Sequence, residues 1–139
     1  MDQQQMQQKV QQYQQMQKEI QELQSYKEEV SNDIEEIRTT EDAINQIKDT
    51  EEGEEIMVPL GSGAYIKAEL KKVDEFIVNI GSDTYTSKKP EKATELLSRR
   101  MKKLEKAKKE IQEKIDEDNK KMQKLVPEIQ RMQQQMQGK

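Results

Sequence analysis

Val58-Pro59-Leu60-Gly61-Ser62-Gly63-Ala64-Tyr65-Ile66-Lys67-Ala68-Glu69-Leu70 decides how this chain folds. Upstream of the glycines, Ile56, Val58 and Leu60 alternate with Met57 and Pro59. Downstream, Ile66, Ala68 and Leu70 alternate with Tyr65, Lys67 and Glu69. Period-two alternation on both sides of a Gly-Ser-Gly turn predicts a β-hairpin. Pro59 cannot donate to a ladder and suits an edge or a strand end. After a polar turn at residues 71–74, Phe76, Val78 and Ile80 alternate with Ile77 and Asn79. Gly81-Ser82-Asp83 then reverses the chain into residues 84–87, rich in β-formers, which predicts a second hairpin. A phosphate cradle at Gly61-Ser62-Gly63 would need a downstream Gly-Lys-Ser/Thr and a following helix, and neither is there.

Two hairpins, spanning residues 54–87, are too small to be stable alone and leave unpaired strand edges. Apolar residues fall on both faces in places, as where Ile77 sits between Phe76 and Val78. Segments leaving from one end of such hairpins are not expected to cover them. The reading favoured here is pairing with hairpins of other subunits in a β-barrel platform. The assembly residues would be Ile56, Val58, Leu60, Ile66, Leu70, Phe76, Val78 and Ile80. The alternative is a monomeric sheet packed on its own helix ends.

Outward from the hairpins lie two polar segments of similar length. In residues 3–48, apolar side chains recur at Met6, Val10, Tyr13, Met16, Ile20, Leu23, Val30, Ile34, Ile37, Ile44 and Ile47. Steps of three and four with no Gly or Pro predict a helix with one narrow apolar stripe. Its length would be roughly 70 Å at the α-helical rise. In residues 90–137 the stripe is Leu97, Met101, Leu104, Lys108, Ile111, Ile115, Asp118, Met122, Leu125, Ile129, Met132 and Met136. Its steps alternate four and three, the period of a left-handed coiled coil. Pro90 suits a helix start, and Pro127 is expected to kink or loosen the end of the helix.

Charge predicts how the two helices meet. Residues 19–55 hold fourteen acidic against three basic side chains, and residues 88–109 hold ten basic against three acidic. Opposite charges flanking a seam select partner and orientation, so an antiparallel pairing within the chain follows. With Met6 opposite Met136, Lys27 would approach Asp118 and the two seam defects would meet. The plainer alternative leaves both as solvated neighbours. Arg99-Arg100-Met101-Lys102-Lys103 could suggest nucleic acid, but no aromatic interleaves it, and a charged helix face answering the acidic first helix is the favoured reading. The fold class is therefore α+β: a long antiparallel intrachain coiled coil with two central hairpins, in a single domain over residues 1–139.

Antiparallel pairing brings both termini to one end. Six of the eight methionines lie in these outer parts: Met1, Met6, Met16, Met122, Met132 and Met136. Methionine is flexible and polarizable and suits surfaces that accept many apolar shapes. Met6, Val10, Tyr13, Ile129, Met132 and Met136 are the candidate binding residues of this tip, and they can equally serve only to close the seam.

Composition narrows the function classes. Hydrophobic residues make up 31% and charged residues 37%, with no Trp and one Phe. Such a chain builds no thick core and is extended or dependent on partners. Without His or Cys, with no phosphate loop and no paired acids in a cleft, no catalytic constellation is visible, so an enzyme, a cofactor and a metal are not expected. No signal-like apolar core and no membrane-length run is present, which predicts a soluble, cytoplasmic protein with neither membrane nor nucleic acid as partner.

The quoted hairpin, followed by Val73-Asp74-Glu75-Phe76-Ile77-Val78-Asn79-Ile80-Gly81, resembles alpha-class prefoldin subunits of the archaeal kind. The resemblance covers the whole chain as helix, two hairpins, helix; the beta class has one hairpin. It implies a hexamer with beta-class prefoldin subunits, two alpha and four beta, whose hairpins form the platform and whose coiled coils are tentacles. It further implies an ATP-independent holdase chaperone whose tips hold unfolded client proteins and deliver them to a group II chaperonin. The competing reading is a coiled-coil scaffold or spacer without chaperone activity.

Overall fold

The computed structural model describes residues 2–138; Met1, one of the six outer methionines, and Lys139 lie outside the described residues. The elements in order are α1 (Asp2–Lys48), β1 (Glu55–Gly61), β2 (Ala64–Glu69), β3 (Phe76–Gly81), β4 (Thr84–Lys88) and α2 (Pro90–Gln137). Helix α1 ends where the amide of Thr50 bonds the Ile47 carbonyl and its hydroxyl bonds that of Gln46, before Gly53 takes a positive φ of 87°. Helix α2 opens on Pro90, and its first bond runs from the Ala93 amide to the Lys89 carbonyl. The helix continues through Pro127 to Gln137. Pro127 has no amide hydrogen to donate to the preceding turn, and that missing bond is the local defect it introduces.

The chain forms two compact units, one of Met1–Asp33 with Lys103–Lys139 and one of Ile34–Lys102. The first is an antiparallel helix pair. Ile20, Val30, Ile111, Ile115 and Leu125 are buried along its seam, as is one polar side chain, Asp118. Lys9 is bonded to Glu128 and Lys27 to Gln112 Oε1, and Lys114 Nζ lies 3.9 Å from Glu19 Oε1. These long side chains reach partners three to nine residues earlier on α2 than the Met6–Met136 pairing sets opposite them, whereas Ile44 packs with Leu97 as that pairing implies. The expected contact between Lys27 and Asp118 is therefore corrected: Lys27 reaches Gln112, and Lys114 bonds Asp118 Oδ1 at 3.3 Å from one turn earlier on the same helix.

The second unit holds the inner ends of both helices and two separate antiparallel hairpins, β1–β2 and β3–β4. No strand pairs one hairpin with the other among the described residues, so this chain closes no barrel by itself. Both turns are built alike. Ser62 and Gly63 have φ of 52° and 79°, and Ser82 and Asp83 have 49° and 58°. Positive φ at both central positions matches the right-handed twist of the strands. Gly61 and Gly81, at φ 108° and 119°, take the residue before each turn into a region that a Cβ strongly disfavours.

Each hairpin has a register shift immediately before its turn. Pro59 pairs with Tyr65 and Gly61 with Ala64, which leaves Leu60 as an extra residue; Ile80 is the extra residue in β3. The alternation expected to run through Leu60 and Ile80 stops one residue earlier, because a bulge inserts a residue without a partner.

Candidate functional sites

The hairpins differ in how they are held. On β3–β4, Phe76 and Val78 face inward and pack on a cluster of Ile44, Ala93 and Leu97, with Ile37 beside them. Arg100 donates from Nη2 to the Asn79 carbonyl, and Asn79 Oδ1 accepts from the Gly81 amide at 2.8 Å. The helix ends thus cover one face of this hairpin, contrary to the expectation that they cannot. Ala93, small and fully covered, lets the hairpin approach α2. Ile77 points the other way and is 77% exposed, and Tyr85 and Ile80 are exposed as well.

On β1–β2 both faces carry bare apolar groups. Ile56 pairs with Ala68 and Val58 with Ile66; Met57 and Tyr65 sit at alternate positions and face the other side. Val58, Ile66, Leu60, Met57 and Tyr65 are exposed, while Ile56 and Leu70 are half-buried. This hairpin is anchored by backbone: Gly53 donates to the Leu70 carbonyl at 2.7 Å, and Leu70 donates to the Glu54 carbonyl at 2.9 Å. The eight hairpin residues singled out from the sequence therefore fall into three sets, of which the half-buried Ile56 and Leu70 are one. Phe76 and Val78 are used within the chain; Val58, Leu60, Ile66 and Ile80 are left bare.

The second site is the end of the helix pair that carries the termini. Burial along the seam stops at Ile20 on α1 and Leu125 on α2. Outward of these, Met6, Val10, Tyr13 and Met16 are half-buried, as are Ile129 and Met132, and Met136 is exposed. The six candidate tip residues are thus brought to one end but not enclosed there. The bond between Lys9 and Glu128 bridges the helices within this stretch. That hydrogen bond and the Lys9 charge, helped by Arg131, hold the Glu128 carboxyl below the usual glutamate range.

Within the helix pair of the first unit, Asp118 is 1% exposed and its Oδ2 has no hydrogen-bond partner among the described residues. Its hydrogen bond and charge, together with Glu19, raise the Lys114 ammonium above the usual lysine range. The heptad pattern located Asp118 in the seam, but nothing in it indicated that Lys114 would serve it. The covering of β3 and the Lys9–Glu128 bond were likewise not read from the sequence. Both are contacts between residues far apart in the chain, and only the three-dimensional register reveals them. No helix of the described residues is long and apolar enough to cross a membrane, and no group of acids in them could hold a metal ion.

A family model described as "Prefoldin subunit" matches residues 16–135. Among curated proteins, "Prefoldin subunit alpha" of Halorubrum lacusprofundi is 38% identical over 66 residues, covering 48% of this chain and 43% of that protein. "Prefoldin subunit alpha 2" of Thermococcus kodakarensis is 32% identical over 87 residues, covering 63% of this chain and 61% of that protein. The matched stretches thus span between two fifths and three fifths of these relatives. Among solved structures, the cryo-EM structure of filamentous PFD from Methanocaldococcus jannaschii superposes with a TM-score of 0.76 at 22% identity, covering 86% of this chain and 98% of that one. At that identity the likeness is one of fold: two long helices with two antiparallel hairpins between them.

Proposed function

The chain belongs to the prefoldin family, and from that premise we propose that it is a subunit of an ATP-independent holdase chaperone. It binds unfolded polypeptide at the coiled-coil tip and passes it to a group II chaperonin. Its β1–β2 hairpin and the outer face of β3–β4 assemble with beta-class prefoldin subunits, in a hexamer of two alpha and four beta. The chain works without a catalytic step, in the cytoplasm.

One observation carries this reading. From Ile20 and Leu125 inward, buried seam residues recur among half-buried ones such as Leu23 and Met122; outward of them no seam residue is buried, and the lining is Met6, Val10, Tyr13, Ile129, Met132 and Met136. A rigid spacer would gain by burying these side chains, each worth about 1.5–3 kcal/mol when fully covered. Left half-covered on a helix end that can splay, they offer that gain to an apolar segment of another chain instead. Methionine and glutamine adapt to many shapes, as a binder of unrelated clients requires.

The test is suppression of aggregation of a chemically unfolded client by the assembled protein, with and without residues 1–13 and 129–138. The native mass of the complex, corrected for the deletion, is expected to persist while suppression is lost. A scaffold or spacer would show no suppression in either form, and suppression by the deleted form would place the client site elsewhere.

A further inference from the structure

The tip carries an excess of positive charge that the assignment of apolar contacts leaves unused. Residues 2–19 and 120–138 hold three carboxylates, Asp2, Glu19 and Glu128, against six cations: Lys9, Lys18, Lys120, Lys121, Lys124 and Arg131; Glu19 is engaged by Lys114 at 3.9 Å. The chain as a whole has a net charge of −4, so the positive end is a local feature set against an acidic background. Glu128 is also consumed locally: Lys9 bonds it across the helices, and Arg131 acts on it from one turn away. Lys121 has a partner inward of the tip, Glu117, at 4.0 Å. Lys18, Lys120 and Lys124 are exposed and have no ion-pair partner among the described residues. Near these cations the lining of the open seam is aliphatic or sulfur-containing except for Tyr13.

Resting on the reading of the tip as a polypeptide-binding site, we propose that it selects apolar segments flanked by acidic residues. The apolar side chains of the client would lie along Ile129 and Met132, and its flanking carboxylates would be drawn to Lys18, Lys120, Lys124 and Arg131. Exposed charges of this kind add little to the closed contact but steer encounter and discriminate between flanks, and they act within a Debye length of about 10 Å at 0.1 M salt. Segments with basic flanks are repelled by the same cations. A single-stranded nucleic acid is the less fitting occupant. Sequence-tolerant binding of that kind stacks bases on several aromatic side chains, and these segments offer Tyr13 alone.

The experiment compares binding of the full-length assembled protein to three labelled peptides with one apolar core and acidic, neutral or basic flanks, with an oligo-uridine strand as a fourth probe. At low salt the acidic-flanked peptide is expected to bind more tightly than the basic-flanked one by about fivefold or more, with the difference collapsing near 0.5 M salt. Reversing charge in K120E/K124E/R131E should invert the order. Far-UV circular dichroism and native mass show whether that variant keeps its fold, and the milder K120Q/K124Q/R131Q, which should flatten the order, serves where it does not. Equal affinity for all three peptides, or preference for basic flanks, overturns the flank selection while leaving the client site intact. Absence of binding to every peptide overturns the underlying reading. Tight oligo-uridine binding with no discrimination among the peptides assigns the cations to nucleic acid and overturns the proposal.

Discussion

Both units leave apolar side chains uncovered, but in different ways. In the hairpin unit the bare groups sit on strands fixed by paired backbone, positive-φ turns and bulges, so their positions are set before any partner arrives. At the tip the groups are methionines, aliphatics and Tyr13, half-covered except for the exposed Met136, on helix ends past the last buried seam residues, where Pro127 removes a backbone bond. A preset apolar surface with open strand edges fits one partner geometry. A loosely closed, adaptable one fits many. The difference teaches that exposure alone does not mark a client site; the stiffness of the element beneath it decides what kind of partner it can take.

The largest effect is expected where the preset surface is spoiled. Val58→Asp with Ile66→Asp puts two charges on one bare face of β1–β2 and should abolish assembly, read as a drop in native mass to the single chain while helical circular dichroism is retained. Retention of the full complex would show that this hairpin is not an interface. Phe76→Ala acts differently, because Phe76 packs on Ile44, Ala93 and Leu97 of its own chain. It should destabilise the hairpin unit by about 2 kcal/mol, less than a fully buried phenylalanine would cost. Thermal unfolding monitored at the hairpins checks this, and no change would mean that the covered face contributes nothing.

Asp118→Leu sharpens the contrast within the helix pair. The carboxylate is buried with one oxygen unpartnered, and replacing such a group by an apolar one of similar size is often neutral or stabilising. Denaturant unfolding is expected to show a gain of about 1–2 kcal/mol, at the expense of any register the charge enforces. The smallest effect concerns Glu128. Its carboxyl is held below the ordinary value of 4.5 by Lys9. The pair is therefore fully present above that value and is lost as pH falls through the lower folded-state value. Methyl resonances of Met6 and Met132 should broaden or shift in that acid window, and Glu128→Gln should remove the pH dependence.

Much of this was legible in the sequence, for local reasons. Gly61 and Gly81 with their flanking alternation marked both hairpins, and the four-three steps from Leu97 to Met136 marked the coiled coil. The bulges at Leu60 and Ile80 were not, because alternation continues on paper through a residue that the ladder skips. The stripe placed Ile44 by Leu97, as observed, but not the partner of Lys27: a heptad pattern orders the seam without deciding which polar group a long side chain reaches, and Lys27 reaches Gln112. That Phe76 and Val78 would be covered while Val58 and Ile66 stay bare depends on Ala93, whose small size carries no signal in one sequence. The tip residues could be named because they continue a stripe to its end, but their incomplete burial is a property of the packed helices.

The central claim is that unfolded polypeptide binds the adaptable tip and not the preset hairpins. Site-specific photo-crosslinking tests it most directly, with a photoreactive residue placed at Met132 or at Ile77, the latter the more exposed of the two. In the assembled protein, a labelled unfolded client is expected to crosslink from position 132 and not from position 77. Crosslinks from position 77 alone, or equal yield from both, would contradict the account.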